Sequence, residues 1–170
     1  KRKFTLALLK KVFKWVRDIN PTQPLTVGIY DYEIDWDKFD KLLPLEQYIL
    51  KNSDFISFHD YGNKASVIKR IKHLKIYERP IICTEYIARG QGNTFENILP
   101  IFKENRIGGY NWGFVSGKTN TIYPWKSWDS IFNGPPAKWH HDIFYANGEP
   151  FSKQEIKLIK DLTGSVNFKN

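Results

Sequence analysis

Apolar residues along this chain switch between two periods. Across residues 4–19, Leu6, Leu9, Phe13 and Val16 fall on one helical face with lysines opposite, and Asn20-Pro21 stops the pattern. Leu25-Thr26-Val27-Gly28-Ile29-Tyr30 reads as a strand, and a polar, aromatic loop runs from Asp31 to Phe39. Residues 44–51 form a short helix and 54–58 the next strand. The spacing of Val67, Ile68, Ile71 and Leu74 predicts a helix over 64–76. Residues 80–84 make a third strand. Asn93, with Glu96 three residues on, opens a helix whose apolar face is Phe95, Ile98, Leu99 and Phe102. The last strand is 107–111. A loop rich in Trp, Pro and Gly spans 113–150, and Ser152 with Glu155 caps a final helix through Leu162.

After the first helix the order is four strand-and-helix units, spaced by about 25–30 residues as in βα repeats. Such alternation implies a parallel sheet with right-handed crossovers. Two architectures fit. One is an open four-stranded sheet with helices on both faces. The other is half of a (β/α)8 TIM barrel, since a complete barrel takes about 250 residues. Every loop after a strand carries Asp, His, Tyr, Trp or Glu, and the connections leading back are plainer. That one-sided enrichment favours the half barrel, because a barrel's active face lies at the C-terminal ends of its strands.

The 170 residues fit one domain, 1–170, and with 41% hydrophobic and 16% aromatic residues the chain is able to bury a core. The single cysteine, Cys83, excludes an internal disulfide and a cysteine-based zinc site; within an apolar strand it reads as a packed thiol. No apolar run approaches a membrane span, so no membrane partner is expected. No leader pattern is visible at Lys1-Arg2-Lys3-Phe4, and with no methionine anywhere the chain reads as a fragment or a processed piece. The net charge of +8 raises nucleic acid as a partner. Its lysines, such as Lys10, Lys14, Lys64, Lys72 and Lys157, are scattered along helices in the manner of solvated faces, so nucleic acid is not expected.

The candidate chemistry sits at three strand tips. Arg79-Pro80-Ile81-Ile82-Cys83-Thr84 ends in Glu85, a carboxylate that is costly to bury without purpose. His59-Asp60-Tyr61-Gly62 follows the strand before it, and Asn111-Trp112-Gly113 follows the strand after it. Plainer roles exist for each: Glu85 pairing with Arg89, His59 as a core histidine, Tyr61 and Trp112 as packing. Trp36, Trp125, Trp128 and Trp139 lie in loops, where stacking on a ligand and simple anchoring are both open, and none is singled out. His140-His141-Asp142 has no third ligand at a recognisable spacing, so no metal and no other cofactor is expected. Gly90-x-Gly92 is too short for a phosphate loop.

Together the Thr84-Glu85 tip, His59-x-Tyr61 one strand earlier and Trp112 one strand later resemble strands six, seven and eight of the retaining (β/α)8 glycoside hydrolases of clan A. The likeness is to family 5 cellulase-like and mannanase-like enzymes, with family 2 barrels next. The strings Glu85-Tyr86-Ile87-Ala88-Arg89-Gly90, Asn111-Trp112-Gly113-Phe114-Val115-x-Gly117-Lys118 and Trp139-His140-His141-Asp142-Ile143-Phe144 extend it over roughly residues 25–162. The resemblance implies the C-terminal half of a barrel, strands five to eight with their helices. It implies hydrolysis of a β-linked glucan, mannan or xylan by double displacement, with a polysaccharide or oligosaccharide as partner. Glu85 matches the nucleophile. Tyr61 matches a tyrosine that donates to it, His59 a histidine lining the same subsite, and Trp112 the platform under the sugar. Asn111 lines the site or fixes the loop. Relatives of this kind are usually exported, which implies a secreted or periplasmic location.

One departure is large. A retaining glycosidase needs two carboxyl groups about 5–5.5 Å apart. In the resembling enzymes the acid/base is a glutamate after an asparagine on strand four, and this chain contains no Asn-Glu pair. Asp31 and Glu33 follow the first strand but do not match that position. The N-terminal half of the barrel, with the acid/base, is therefore expected to be absent from this sequence. Alone, such a half would be inactive, poorly stable or self-associated. The alternative is a non-catalytic carbohydrate-binding fragment.

Overall fold

The computed structural model describes residues 2–30 and 34–164. Asp31 and Glu33 lie outside the described residues. The elements run α1 (Arg2–Ile19), β1 (Gly28–Ile29), α2 (Pro44–Asn52), β2 (Ile56–His59), α3 (Lys64–Lys75), β3 (Ile81–Glu85), α4 (Phe95–Asn105), β4 (Gly108–Gly109) and α5 (Lys153–Thr163). Short 3-10 turns occupy Phe39–Lys41, Arg89–Gln91 and Trp125–Trp128. The four strands form one all-parallel sheet in the order β1-β2-β3-β4. The order never reverses, so the sheet has no topological switch point of the doubly wound kind.

Apolar periodicity accounts for the helices. Phe13 is buried and meets the ring of Tyr48 on α2 edge-on at 5.7 Å, while Leu6, Leu9 and Val16 flank it half-buried. Val67, Ile71 and Leu74 of α3 and Phe95, Ile98 and Phe102 of α4 are buried against Ile56, Phe58, Ile81 and Cys83 of the sheet. A second apolar row on α1 is uncovered: Phe4, Leu8, Trp15 and Ile19 are all exposed. Among the described residues no helix is long and apolar enough to cross a membrane.

Two strands are shorter than the pattern suggests. The 25–30 run forms ladder pairs only at Gly28 and Ile29. Before them, side chains add to a backbone bond from the Asp54 N–H to the Leu25 carbonyl at 2.7 Å: the Asp54 carboxylate accepts from the Leu25 N–H at 2.6 Å, and the Thr26 hydroxyl donates to the Phe55 carbonyl at 2.8 Å. The 107–111 run forms ladder pairs only at Gly108 and Gly109.

Two helix starts also differ in detail. The cap of α4 is Thr94, whose Oγ1 accepts from Asn97 N–H at 3.4 Å; Asn93 is drawn inward instead. Ser152 does cap α5, accepting from Glu155 N–H at 3.2 Å, but the Glu155 side chain turns inward to Arg89 rather than back to the cap.

Candidate functional site

Strict alternation along β3 would put Glu85 on the face of Ile81 and Cys83, under the helices. Those two residues are buried, and Ile82 and Thr84, which alternate with them, are half-exposed. The ladder with β2 breaks this pattern. Phe58 pairs with Cys83, but His59 pairs with Glu85, so Thr84 is an extra residue in β3. A bulge of this kind re-aims the side chain that follows it. Here it turns Glu85 to the face of Ser57 and His59, a face where Gly28 leaves room: a Cβ at Gly28 would come within 3.3 Å of His59 Nε2.

On that face Glu85 Oε2 accepts a hydrogen bond from the Tyr61 hydroxyl at 2.8 Å, and His59 Nδ1 lies 3.3 Å from the same oxygen. The Glu85 and His59 side chains are each about one-quarter exposed, so the carboxylate is held yet open to a ligand. It opens into a cavity of about 650 Å³ lined by Tyr30, Tyr61, Gln91, Trp112, Trp125 and Trp128. That volume falls in the range of small-molecule sites, roughly 300–1,000 Å³. Trp112 is aimed by the strand-end bond from its N–H to the Tyr86 carbonyl, 3.0 Å. The next residue, Gly113, has φ +86°, and a Cβ there would fall 2.7 Å from Asp142 Oδ1 and 2.8 Å from His141 Cβ. Only glycine lets the chain turn away from Trp112 at that spot.

Asn111 does not wall this cavity. Its amide donates to the Gly113 carbonyl, and it lines a separate apolar groove with Phe95, Phe144 and Ile156. Of the two readings open for it, fixing the loop is the one its contacts match.

The loop carrying Glu85 is clamped from three sides. Ile87 is fully buried with φ +73°, a conformation that costs a β-branched residue on the order of 1–3 kcal/mol. Side chains bond both its polar backbone groups: its N–H donates to Asn93 Oδ1 at 2.8 Å, and its carbonyl bonds His141 Nδ1. That second contact requires the proton of His141 to sit on Nδ1. Asn93 also donates through Nδ2 to the carbonyls of Asp60, at 3.0 Å, and Gly62, at 2.7 Å. One buried amide thus ties the Glu85 loop to the Tyr61 loop and fixes the distance between those two side chains.

Replacing Asn93 by leucine keeps its branched shape and strands one N–H and two carbonyls. It is expected to cost about 2–4 kcal/mol in denaturant unfolding, and Asn93→Asp, which keeps the acceptor for Ile87 but sets a buried carboxylate oxygen against the Asp60 and Gly62 carbonyls, should cost at least as much.

The third clamp is Arg89. It does not pair with Glu85. Its guanidinium makes a forked bond to Glu155 of α5, Nε to Oε1 at 2.8 Å and Nη2 to Oε2 at 2.7 Å, with both residues buried.

His140 and His141 are both buried beside Trp125. Burial pushes the imidazole of His140 down to about 4, and that of His141 downward as well. Both folded values lie below the free value, so the unfolded chain takes up protons first as pH falls. The stability that these two histidines contribute is fully present above about pH 6.5 and is lost progressively toward pH 4. His140 alone should contribute a loss of about 1–2 kcal/mol between pH 7 and 5, and a His140→Gln variant should show a shallower slope in denaturant midpoints over that window.

The adjacent histidines and Asp142 diverge: His140 packs on Trp125, His141 bonds Ile87, and both Asp142 oxygens accept from Thr121 Oγ1 at 2.8 Å. A different trio, Asp35, Asp37 and His73, has ligand atoms within 4.8 Å of one another. There Lys38 at 2.7 Å and Lys69 at 2.8 Å already engage Asp35, and their charges oppose a further cation.

The structure therefore brings Glu85, His59, Tyr61 and Trp112 together and leaves Asn111 outside. Trp36 and Trp139 are buried: Trp36 lies beneath the Arg70 guanidinium at 4.3 Å, and Trp139 stacks on Phe151 at 4.8 Å. Sequence reasoning did not single out Tyr30, Gln91, Trp125 or Trp128 as wall residues. The richness of the 113–150 loop in tryptophan was the available signal for the last two. No protein-family model and no curated protein matches this chain.

Proposed function

We propose that this chain is the nucleophile-bearing half of a retaining β-glycanase built on a (β/α)8 barrel, corresponding to strands five to eight. The observation that carries the reading is the re-aimed Glu85, bonded by Tyr61 and flanked by His59 at the mouth of an aromatic-walled cavity. The indole face of Trp112 suits the C–H face of a pyranose, and its N–H is a donor. In the first step a Glu85 oxygen attacks the anomeric carbon and the glycosidic C–O bond breaks. The departing oxygen takes a proton from a general acid, and water later cleaves the glycosyl ester.

The half-barrel architecture is supported by the unreversed strand order, which with right-handed crossovers lays successive helices on one side of the sheet. It is also supported by what lies uncovered. Among the described residues β1 and β4 each have a single strand neighbour, and α1, which packs on α2, exposes Phe4, Leu8, Trp15 and Ile19. Four further βα units would cover both margins. The acid/base would come from them, since Glu85 is the only carboxylate lining the cavity among the described residues. The partner is a β-linked glucan, mannan or xylan, no cofactor takes part, and export from the cell fits a polymer substrate.

A missing general acid matters least when the leaving group needs no proton. An activated aryl fluoroglycoside should therefore form a stable ester on Glu85 of this chain, seen as a mass shift on its peptide. The natural polysaccharide should not be turned over. Absence of the ester, with the chain folded, rules out the nucleophile role.

The single carboxylate in the cavity favours a second reading, a binding fragment without catalysis. It predicts sugar binding with no ester under the same conditions.

A further inference from the structure

The geometry points to a second sugar-binding platform, formed by Trp125 and Trp128, that holds a further ring of the glycan whose reacting unit sits at Glu85. This rests on the reading just given. The two tryptophans open and close one 3-10 turn, Trp125–Trp128. In a 3-10 helix, side chains three residues apart eclipse, so both indoles project from the same side. Both wall the cavity that contains Glu85.

Their settings differ in a way that suits a platform. Trp125 is half-buried and pinned edge-on by Tyr61 at 5.1 Å and His140 at 4.8 Å. Since Tyr61 is the donor to Glu85, the platform is tied directly to the carboxylate's own partner. Trp128 is 80% exposed. An indole held open to water on a cavity wall offers a large flat apolar face with an N–H at its edge, which matches the mixed apolar and hydroxyl surface of a pyranose. Trp112 provides a separate face in the same cavity, and Gln91 and the Tyr30 hydroxyl supply polar groups around it. At about 650 Å³ the space exceeds what one ring fills. The consequence is a cleft that prefers extended chains to short ones.

The test uses this chain and isothermal titration with cello-, manno- and xylo-oligosaccharides from disaccharide to hexasaccharide. For the series that binds, the hexasaccharide should bind at least about tenfold more tightly than the disaccharide. Trp128→Ala, a change at an exposed position, should bring that ratio close to one, and Trp128→Phe should retain much of it. A ratio unchanged in Trp128→Ala, or no gain with length in the unmodified chain, overturns the platform. If Glu85 is esterified and the ratio does not move, the platform alone fails. If length-dependent binding is lost in Trp128→Ala but no ester forms, the platform stands and catalysis fails. If no oligosaccharide binds, both fail.

Discussion

Glu85→Gln should abolish ester formation with the activated fluoroglycoside, a fall of at least about a thousandfold in labelling rate, while oligosaccharide affinity stays within a few-fold. Glutamine has the size of glutamate, and its carbonyl oxygen still accepts from Tyr61, which donates to Oε2 at 2.8 Å in the unmodified chain. The cavity walls are untouched. What is lost is the anionic oxygen able to bond the anomeric carbon. Tyr61→Phe separates positioning from chemistry: it keeps the carboxylate, removes the donor, and should slow labelling by about ten- to a hundredfold. Mass spectrometry of the intact chain over time reads both. Equal labelling of Glu85→Gln and the unmodified chain would place the reacting group elsewhere.

Arg89→Met should destabilise the fold by about 3–5 kcal/mol, because it leaves the carboxylate of Glu155 buried without its counter-charge. For a chain of this size that is a fall of roughly 6–20 °C in melting temperature. The site is buried and aromatic. The guanidinium lies 5.1 Å from the Phe151 ring and 5.7 Å from Phe95, and it also donates to the Trp139 carbonyl at 3.3 Å. Methionine occupies similar space in such surroundings. The double variant Arg89→Met with Glu155→Leu should regain most of the loss, since removing both charges removes the desolvation cost as well. Thermal melts of the two single variants and the double variant give the coupling energy directly. A single variant as stable as the parent would mean that water reaches the pair.

Much of the framework was legible because it depends on local period. The helices follow from apolar spacing, and the position of Glu85 at a strand end follows from the run Ile81-Ile82-Cys83-Thr84. The direction in which Glu85 points was not legible. It depends on the extra residue at Thr84, and a bulge leaves no mark in an apolar-polar pattern. Asn93 looked like a helix cap because asparagine followed by a glutamate three residues on is a common start, yet Thr94 took that role once three backbone groups engaged the Asn93 amide. The Arg89–Glu155 bond joins residues 66 apart, beyond any local rule. From sequence the nearer partner for Arg89 is Glu85, four residues away. The wall tryptophans were visible as residue types. Their alignment needed the 3-10 turn, which periodicity does not forecast over four residues.

Cys83 is wholly enclosed between β2 and the helices, and burial pushes its thiol well above the usual range. A maleimide or disulfide reagent therefore reaches this sulfur only when the sheet itself comes apart. Its modification rate is a clock for that opening, ticking faster in any variant that loosens the strand on which Glu85 is mounted. With one sealed sulfur per molecule, two chains meeting in an oxidising medium have no exposed partner for a covalent cross-link while they remain folded.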